Sequence, residues 1–259
     1  MPELPDVEVF RKTIDDKTIG KSINDYTIHV KDLVGSSRQK LNKIRGHKIN
    51  STQRRGKYCF LEIEDFDWLV LHFGMTGSVS YYEDDEEEPE YSAFSFQFKD
   101  KGHLSVISKR KLGKIEACKS PDAFAEENDI GTDALELSQD EFLELLDKKR
   151  GGIKGALMDQ SLLSGIGNIY SDEILFQVRL HPKMNLSKID EKKRKELYTK
   201  MNEVLKKAIE VQADPSKLPK NYLIPVRNEG DSCPYCEGKV KKIKISGRGC
   251  YICPSCQKK

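Results

Sequence analysis

The most specific chemistry in this 259-residue chain lies in two pairs of cysteines near its end. Cys233-Pro234-Tyr235-Cys236 and Cys253-Pro254-Ser255-Cys256 are separated by sixteen residues. Two C-x-x-C knuckles at that spacing supply four thiolates for a tetrahedral Zn²⁺ in a closed structural site. Iron suits the same four sulfurs. A redox C-x-x-C is the weaker reading, because the module carries two copies and is too short to hold a core without a staple. A second candidate stands at the other terminus. With Met1 removed, Pro2 offers a secondary amine beside the carboxylate of Glu3. An N-terminal amine titrates at roughly pH 7.7–8.0. A useful fraction is therefore an uncharged nucleophile, able to attack a carbonyl-like carbon and form a Schiff base. On this dipeptide alone an incidental proline is the better reading.

Two further stretches could hold an anion. Gly165-Ile166-Gly167-Asn168 opens a helix, and the free N–H groups of a helix N-terminus attract negative charge. A short helix before it makes a helix–turn–helix arrangement of the kind that grips nucleic-acid backbone, although on local grounds a capped αα-hairpin is the better reading. Between the cysteine pairs, segments 239–245 and 249–252 read as a hairpin around Ser246-Gly247-Arg248. Arg248 at its tip suits a phosphate, and a solvated turn residue is the plain alternative.

The elements that must position these groups change character along the chain. Pro5, Asp6 and Glu8 suit the first turn of a helix, with Val7, Phe10 and Ile14 on one face and an end near Gly20. From Ser22 the pattern turns to short strands: 23–30, 48–53, 58–63, 68–72, 78–82, 93–98, 103–107 and 115–118. Phe94, Phe96 and Phe98 share one face, and the set predicts a β-sandwich or barrel. The acidic run Glu83-Asp84-Asp85-Glu86-Glu87-Glu88-Pro89-Glu90 falls between two strands as a solvated loop. After Gly131 the chain becomes helical. Ser138 to Glu141 is a capping box, 153–160 is a short helix, and Asn168 caps a helix reaching about Val178. Ser187 to Asp190 reads as a second capping box ahead of a helix carrying Leu197, Met201, Val204, Leu205 and Ala208, and 214–231 as a linker with three prolines.

Composition excludes several classes. At 37% hydrophobic and 33% charged residues the chain is polar and globular, with no apolar run of membrane length. The start is charged, without a signal-peptide core, and seven cysteines are an odd number, so a reducing, cytoplasmic setting is expected. Net charge is only +2, but from Lys239 onward there are basic residues and no acidic ones. Set the acidic run aside and the remainder suits a polyanion partner.

Four pieces in order, Pro2-Glu3-Leu4-Pro5, Arg55-Gly56-Lys57-Tyr58, Gly165-Ile166-Gly167-Asn168-Ile169-Tyr170 and the four-cysteine module with Arg248, resemble the formamidopyrimidine-DNA glycosylase / endonuclease VIII family of DNA repair enzymes. The resemblance covers essentially the whole chain. It implies an α+β multidomain protein: an N-terminal β-sandwich with a leading helix (1–131), a helix–two-turn–helix domain (132–222) and a C-terminal zinc-ribbon finger (223–259) with one structural Zn²⁺. It implies a bifunctional glycosylase and abasic-site lyase acting by β,δ-elimination in base excision repair. Its partner would be double-stranded DNA containing damaged bases or abasic sites, and it would act as a monomer, in the cytoplasm and on the nucleoid, away from any membrane.

By that resemblance Pro2 attacks the sugar C1′ and Glu3 handles protons. Lys57 contacts the lesion's phosphate, and Asn168, Arg248 and His72 bind phosphates. Met75 fills the gap left by the flipped nucleotide and Arg110 faces the orphaned base. A base stacked in duplex must be flipped out before chemistry on it, so such fillers are required. There are departures. Asp6 stands where the family often has glutamate, Leu112 where the 8-oxoguanine branch usually has phenylalanine, and 209–233 is short where that branch carries a loop over the flipped base. Ring-opened purines or oxidised pyrimidines are thus expected ahead of 8-oxoguanine. A non-catalytic zinc-ribbon binder of damaged DNA and a protein–protein scaffold are the competing classes. The first leaves Pro2, Glu3 and Lys57 without a purpose, the second the basic C-terminal module.

Overall fold

Pro5 lies in the first turn of α1 (Leu4–Thr18), where a missing N–H costs nothing. Val7 and Ile14 are fully buried on one face and Phe10 packs beside them. Gly20, at φ +79°, follows the helix in a conformation that glycine adopts without strain. The computed structural model describes residues 1–258, which fall into two units. One takes residues 1–2 and 6–129, the other residues 3–5 and those from Ile130 onward.

The first unit is a β-sandwich. One antiparallel sheet has the order β1-β6-β7-β5, built from β1 (Ile23–Ile28), β5 (Gly77–Glu83), β6 (Ser92–Phe98) and β7 (Gly102–Ser108). The other has the order β2-β3-β4-β8, built from β2 (Ile49–Arg55), β3 (Tyr58–Ile63), β4 (Trp68–His72) and β8 (Lys114–Cys118). All eight sequence-predicted strands are present, β3 and β4 with the expected ends and the others displaced by a residue or two. Phe94, Phe96 and Phe98 lie buried in a core shared with α1. Two short helices were not expected: α2 (Arg38–Leu41), capped by Ser37, and α3 (Pro121–Glu127), capped by Ser120, whose Phe124 packs on Tyr58 and Phe60. The acidic run does join β5 to β6, but two of its carboxylates are tied back. Glu88 meets His29 at 2.9 Å and Ser95 at 2.5 Å, and Asp84 meets His103 at 2.6 Å.

In the second unit α4 (Gln139–Lys148) begins with the expected capping box, Ser138 and Glu141 bonding reciprocally. The other helices are α5 (Ile153–Leu157), α6 (Asn168–Gln177) and α7 (Glu191–Glu210), with β9 (Thr132–Asp133) paired in parallel with β10 (Leu163–Ser164). Every residue of α6 from Tyr170 to Phe176 is buried, so it is the central helix of the unit.

Several local expectations need correction, among them the short helix expected over 153–160, which ends at Leu157. Asn168 is the first residue of α6, not its cap; Gly167 holds the cap position. Asp190 caps α7 by accepting from the Lys193 N–H, while Ser187 lies in a preceding turn capped by Asn185. The segment 214–231 is not a loose linker, since Tyr222 and Leu223 are buried and the Ile224 N–H donates to Glu173 at 2.8 Å. Near the end, β11 (Lys241–Ile245) and β12 (Arg248–Ile252) form the expected hairpin. Ser246 and Gly247, both at positive φ, make its two-residue turn, so Arg248 closes the hairpin opposite Ile245 rather than capping its tip. No helix among the described residues is long and apolar enough to cross a membrane.

Candidate active site

The anion at the N-terminus of α6 belongs to the protein itself. Glu3, 1% exposed, accepts backbone N–H bonds from Gly167 at 2.8 Å, Ile169 at 2.8 Å and Tyr170 at 3.1 Å. A carboxylate facing free N–H groups at the positive end of a helix is strongly held. The glycines make room for it. A Cβ on Gly167 would lie 2.4 Å from the Glu3 carboxyl carbon, and one on Gly165 would lie 2.6 Å from Leu4. The Leu4 N–H donates to the Gly165 carbonyl at 3.0 Å, pinning the backbone that follows Pro2. Pro2 is half-buried and Met1 half-exposed.

In the first unit Lys57 occupies the two-residue turn between β2 and β3, with Gly56 at φ +57° ahead of it. Arg54 Nη1 donates to the Gly56 carbonyl at 3.2 Å while its Nε donates to Glu8 of α1 at 3.1 Å, so the turn is braced from the helix. Lys57 itself is largely buried. Tyr58 and His72 face each other on adjacent strands, ring centroids 4.9 Å apart. Burial, then the charges of Lys57 and Lys114, hold the His72 imidazole below its ordinary range, so near neutral pH it can donate from one nitrogen and accept at the other.

Met75 and Leu112 are 43% and 41% exposed. Gly74, at φ +59°, backs against Leu112, where a Cβ would meet the carbonyl oxygen at 2.3 Å. The two loops therefore present their tips side by side, and Arg110 Nη1 reaches Met75 Sδ at 3.2 Å. Tyr91 is also exposed, with Lys109 Nζ 5.4 Å from its ring centre; sequence reading did not mark it, since a tyrosine beside an acidic run carries no signal.

In the second unit Asn168 Oδ1 accepts from Lys154 Nζ at 2.8 Å and Nδ2 donates to the Gly249 carbonyl at 2.9 Å, next to Arg248. Arg248 is exposed, without a carboxylate partner among the described residues. Lys154 and Asp172 form a buried ion pair at 2.5 Å, joined by Arg227 at 2.7 Å. Sequence reading missed this pair. Its trace was Ser171-Asp172-Glu173, three polar residues inside a helix whose every face is buried. Cys250 donates its thiol to Asp172 at 2.9 Å; burial, then Asp172, pushes it up to about 12, so it remains a thiol. Burial pushes Cys59 and Cys118 up to about 12 as well, and neither is a nucleophile.

The four sulfurs of Cys233, Cys236, Cys253 and Cys256 lie within 4.8 Å of one another. A tetrahedral shell of Zn–S bonds at about 2.3 Å implies S···S separations of about 3.8 Å. The observed neighbours, Cys233–Cys256 at 3.7 Å, Cys236–Cys253 at 3.6 Å and Cys236–Cys256 at 3.4 Å, are close to that size. Backbone N–H groups of Tyr235 and Gly238 point at the sulfurs of Cys233 and Cys236, as thiolate ligands favour. The residues fit a metal ion. The module rests on Phe176 of α6 through Leu223 and Val240.

Pro2, Lys57, His72, Met75 and Arg110 thus belong to the first unit, and Glu3, Asn168, Arg248 and the cysteines to the second. The model of the formamidopyrimidine-DNA glycosylase N-terminal domain matches residues 1–115, and that of its H2TH domain residues 130–219. A formamidopyrimidine-DNA glycosylase of Arabidopsis thaliana is 34% identical, aligned over 100% of this chain and 71% of its own length. One of Lactobacillus helveticus is 31% identical over 99% of both. Among solved structures, Lactococcus lactis Fpg in complex with abasic-site DNA aligns with a TM-score of 0.88 and 28% identity, covering 99% of this chain and 100% of that one. The same protein with a Fapy-dG-containing DNA gives 0.89 at the same identity and coverage. The chain belongs to the formamidopyrimidine-DNA glycosylase family.

Proposed function

We propose that this protein is a bifunctional DNA glycosylase and abasic-site lyase of base excision repair, acting as a monomer on damaged double-stranded DNA, in the cytoplasm and on the nucleoid. The observation that carries the reading is the capture of Glu3 by three N–H groups at the N-terminus of α6, one from its cap and two from its first turn, which fixes the residue directly after Pro2. Released from Met1, the Pro2 nitrogen bonds to C1′ as the glycosidic bond breaks and the damaged base leaves. Opening of the C1′–O4′ bond gives an iminium, the proton traffic passing through Glu3. Loss of the C2′ proton then expels the 3′ phosphate, and a second elimination expels the 5′ phosphate. Lys57, His72, Asn168 and Arg248 hold phosphates, and the uncharged imidazole favoured at His72 can accept or donate there. Met75 and Arg110, side by side on exposed loops, fill the space of the flipped nucleotide.

The division of labour follows the three parts 1–131, 132–222 and 223–259. Zn²⁺ held by Cys233, Cys236, Cys253 and Cys256 supplies structure only, fixing the hairpin that carries Arg248. Leu112 at the loop tip can wedge but not stack. The short 209–233 segment is committed to packing on α6 through Leu223 and Glu173, leaving little chain to cover a flipped base. Both features support ring-opened purines or oxidised pyrimidines as better substrates than 8-oxoguanine opposite cytosine. Single-turnover rates on matched duplexes test that preference, and faster excision of 8-oxoguanine would overturn it. Borohydride added during incubation with an abasic-site duplex tests the chemistry. The Met1-processed protein should be trapped covalently, and a form retaining Met1, whose Pro2 nitrogen is an amide, should not. No adduct at saturating protein would return the chain to the class of binders.

A further inference from the structure

Asp172 is almost fully buried, yet four groups donate to its two oxygens. Lys154 Nζ and the Cys250 thiol reach Oδ1, while the Tyr251 N–H and the Arg227 guanidinium reach Oδ2. Such a node is costly to bury unless every charge is paired. Here two cations surround one carboxylate, leaving the cluster net positive. Lys154 is 2% exposed and uses a second hydrogen on Asn168 Oδ1. On the other side of Asn168, Nδ2 meets the carbonyl of Gly249. The hydrogen bonds therefore close a ring: Asp172 to Lys154, Lys154 to Asn168, Asn168 to β12, and β12 back to Asp172.

The ring dictates which way the Asn168 amide points. An ammonium has only donors and a backbone carbonyl only accepts. The amide oxygen must face Lys154 and the nitrogen must face Gly249. One Nδ2 hydrogen is then used on Gly249 and the other remains for an acceptor. A flipped amide would set oxygen against oxygen at Gly249 and offer a phosphate nothing to bind. The same node holds the Tyr251 N–H of β12, three residues after exposed Arg248, so one carboxylate sets the amide and the strand that carries the arginine.

We propose that Asp172 is the positioning residue of a two-pronged phosphate clamp: through Lys154 and β12 it fixes Asn168 as a hydrogen-bond donor beside Arg248. This rests on the reading above that Asn168 and Arg248 bind DNA phosphate. Binding of the zinc-loaded protein to a duplex containing a tetrahydrofuran abasic analogue, followed by anisotropy across a salt series, tests it. Asn168→Ala should weaken binding by about tenfold, the scale of one lost hydrogen bond to a charged group, and Asp172→Asn by at least as much, because it also loosens the strand carrying Arg248. The double variant should be no weaker than Asp172→Asn alone by more than about twofold, because Asp172→Asn already removes the Asn168 contact. Asp172→Asn should also lower the salt dependence by about 0.9 in log–log slope, the share of one phosphate contact, as Arg248→Ala does. Partial unfolding alone would leave that slope unchanged. Should Asp172→Asn fail to fold, Lys154→Met carries the same cycle, since Asp172 keeps Arg227. Multiplying losses in the double variant, or an unchanged slope in a folded, zinc-replete Asp172→Asn protein, would overturn the positioning role. Full affinity in both Asn168→Ala and Arg248→Ala would instead reject the clamp itself.

Discussion

At the edge of the first unit, Met75, Arg110 and Leu112 stand in solvent, and what places them is backbone: Gly74 against the Leu112 carbonyl, and Ser108 bonding both ends of the Leu112 peptide. Around α6 in the second unit, Glu3, Asn168 and Arg248 are placed by buried charge. The Glu3 carboxylate fills the helix N-terminus, and the Lys154–Asp172 pair lies one turn below. Function and stability are separable in the first region and not in the second. Side chains offered from backbone turns can be changed with little effect on folding. Side chains inside a buried ionic arrangement cannot, because removing one partner leaves the other desolvated and unpaired.

The largest effect should come from Glu3. Glu3→Ala strips three N–H groups of their acceptor at once, and a loss of about 3 kcal/mol in denaturant unfolding is expected, on the scale of hydrogen bonds to a charged group. A loss below about 1 kcal/mol would break the contrast.

Next is a pH effect from Glu173, the neighbour of Asp172. Burial first, with a further push from the Asp172 charge and against bonds from Gln177 and Ile224, raises it from 4.5 to about 7. A carboxyl whose folded value is raised keeps its proton in the folded state after the unfolded chain has lost it. Its contribution to stability therefore falls as pH rises from about 4.5 to about 7, by up to roughly 3 kcal/mol. The lowered value of His72 acts with the opposite sign below pH 6.5, so the comparison must be between variants. Glu173→Gln should flatten the fall, read as the difference in unfolding free energy between pH 5 and 7. Parallel curves for the two proteins would refute it.

The smallest stability change belongs to the loop tips. Met75→Ala and Leu112→Ala should each alter unfolding free energy by under about 0.5 kcal/mol, as exposed positions do. Each should still weaken binding to a damaged duplex several-fold. A pair of variants that lose stability and binding in proportion would erase the distinction between the two regions.

The sandwich was legible in the sequence because strand periodicity is local. Ser92 to Phe98 alternates within seven residues, and that alternation is what buries its three phenylalanines. The short helices α2 and α3 left only a serine cap and too few residues for a period. Asn168 was misread as a cap because its type and place fit one. The acceptor that satisfies the helix N–H groups is the Glu3 carboxylate, 164 residues earlier than the cap residue Gly167, and no local pattern records it. Lys154 and Asp172 were invisible for the same reason: each is an ordinary charged residue until the fold removes its water. The cysteine spacing worked in reverse, since four thiols in such a short module point to one another whatever the rest of the chain does.

The Pro2 nitrogen is the proposed nucleophile. The measurement closest to that claim is peptide mapping of the borohydride-reduced adduct formed with an abasic-site duplex, by mass spectrometry after protease and nuclease digestion. The sugar remnant is expected on the N-terminal peptide, attached to Pro2. A remnant on the peptide containing Lys57, or on any other lysine, would contradict it.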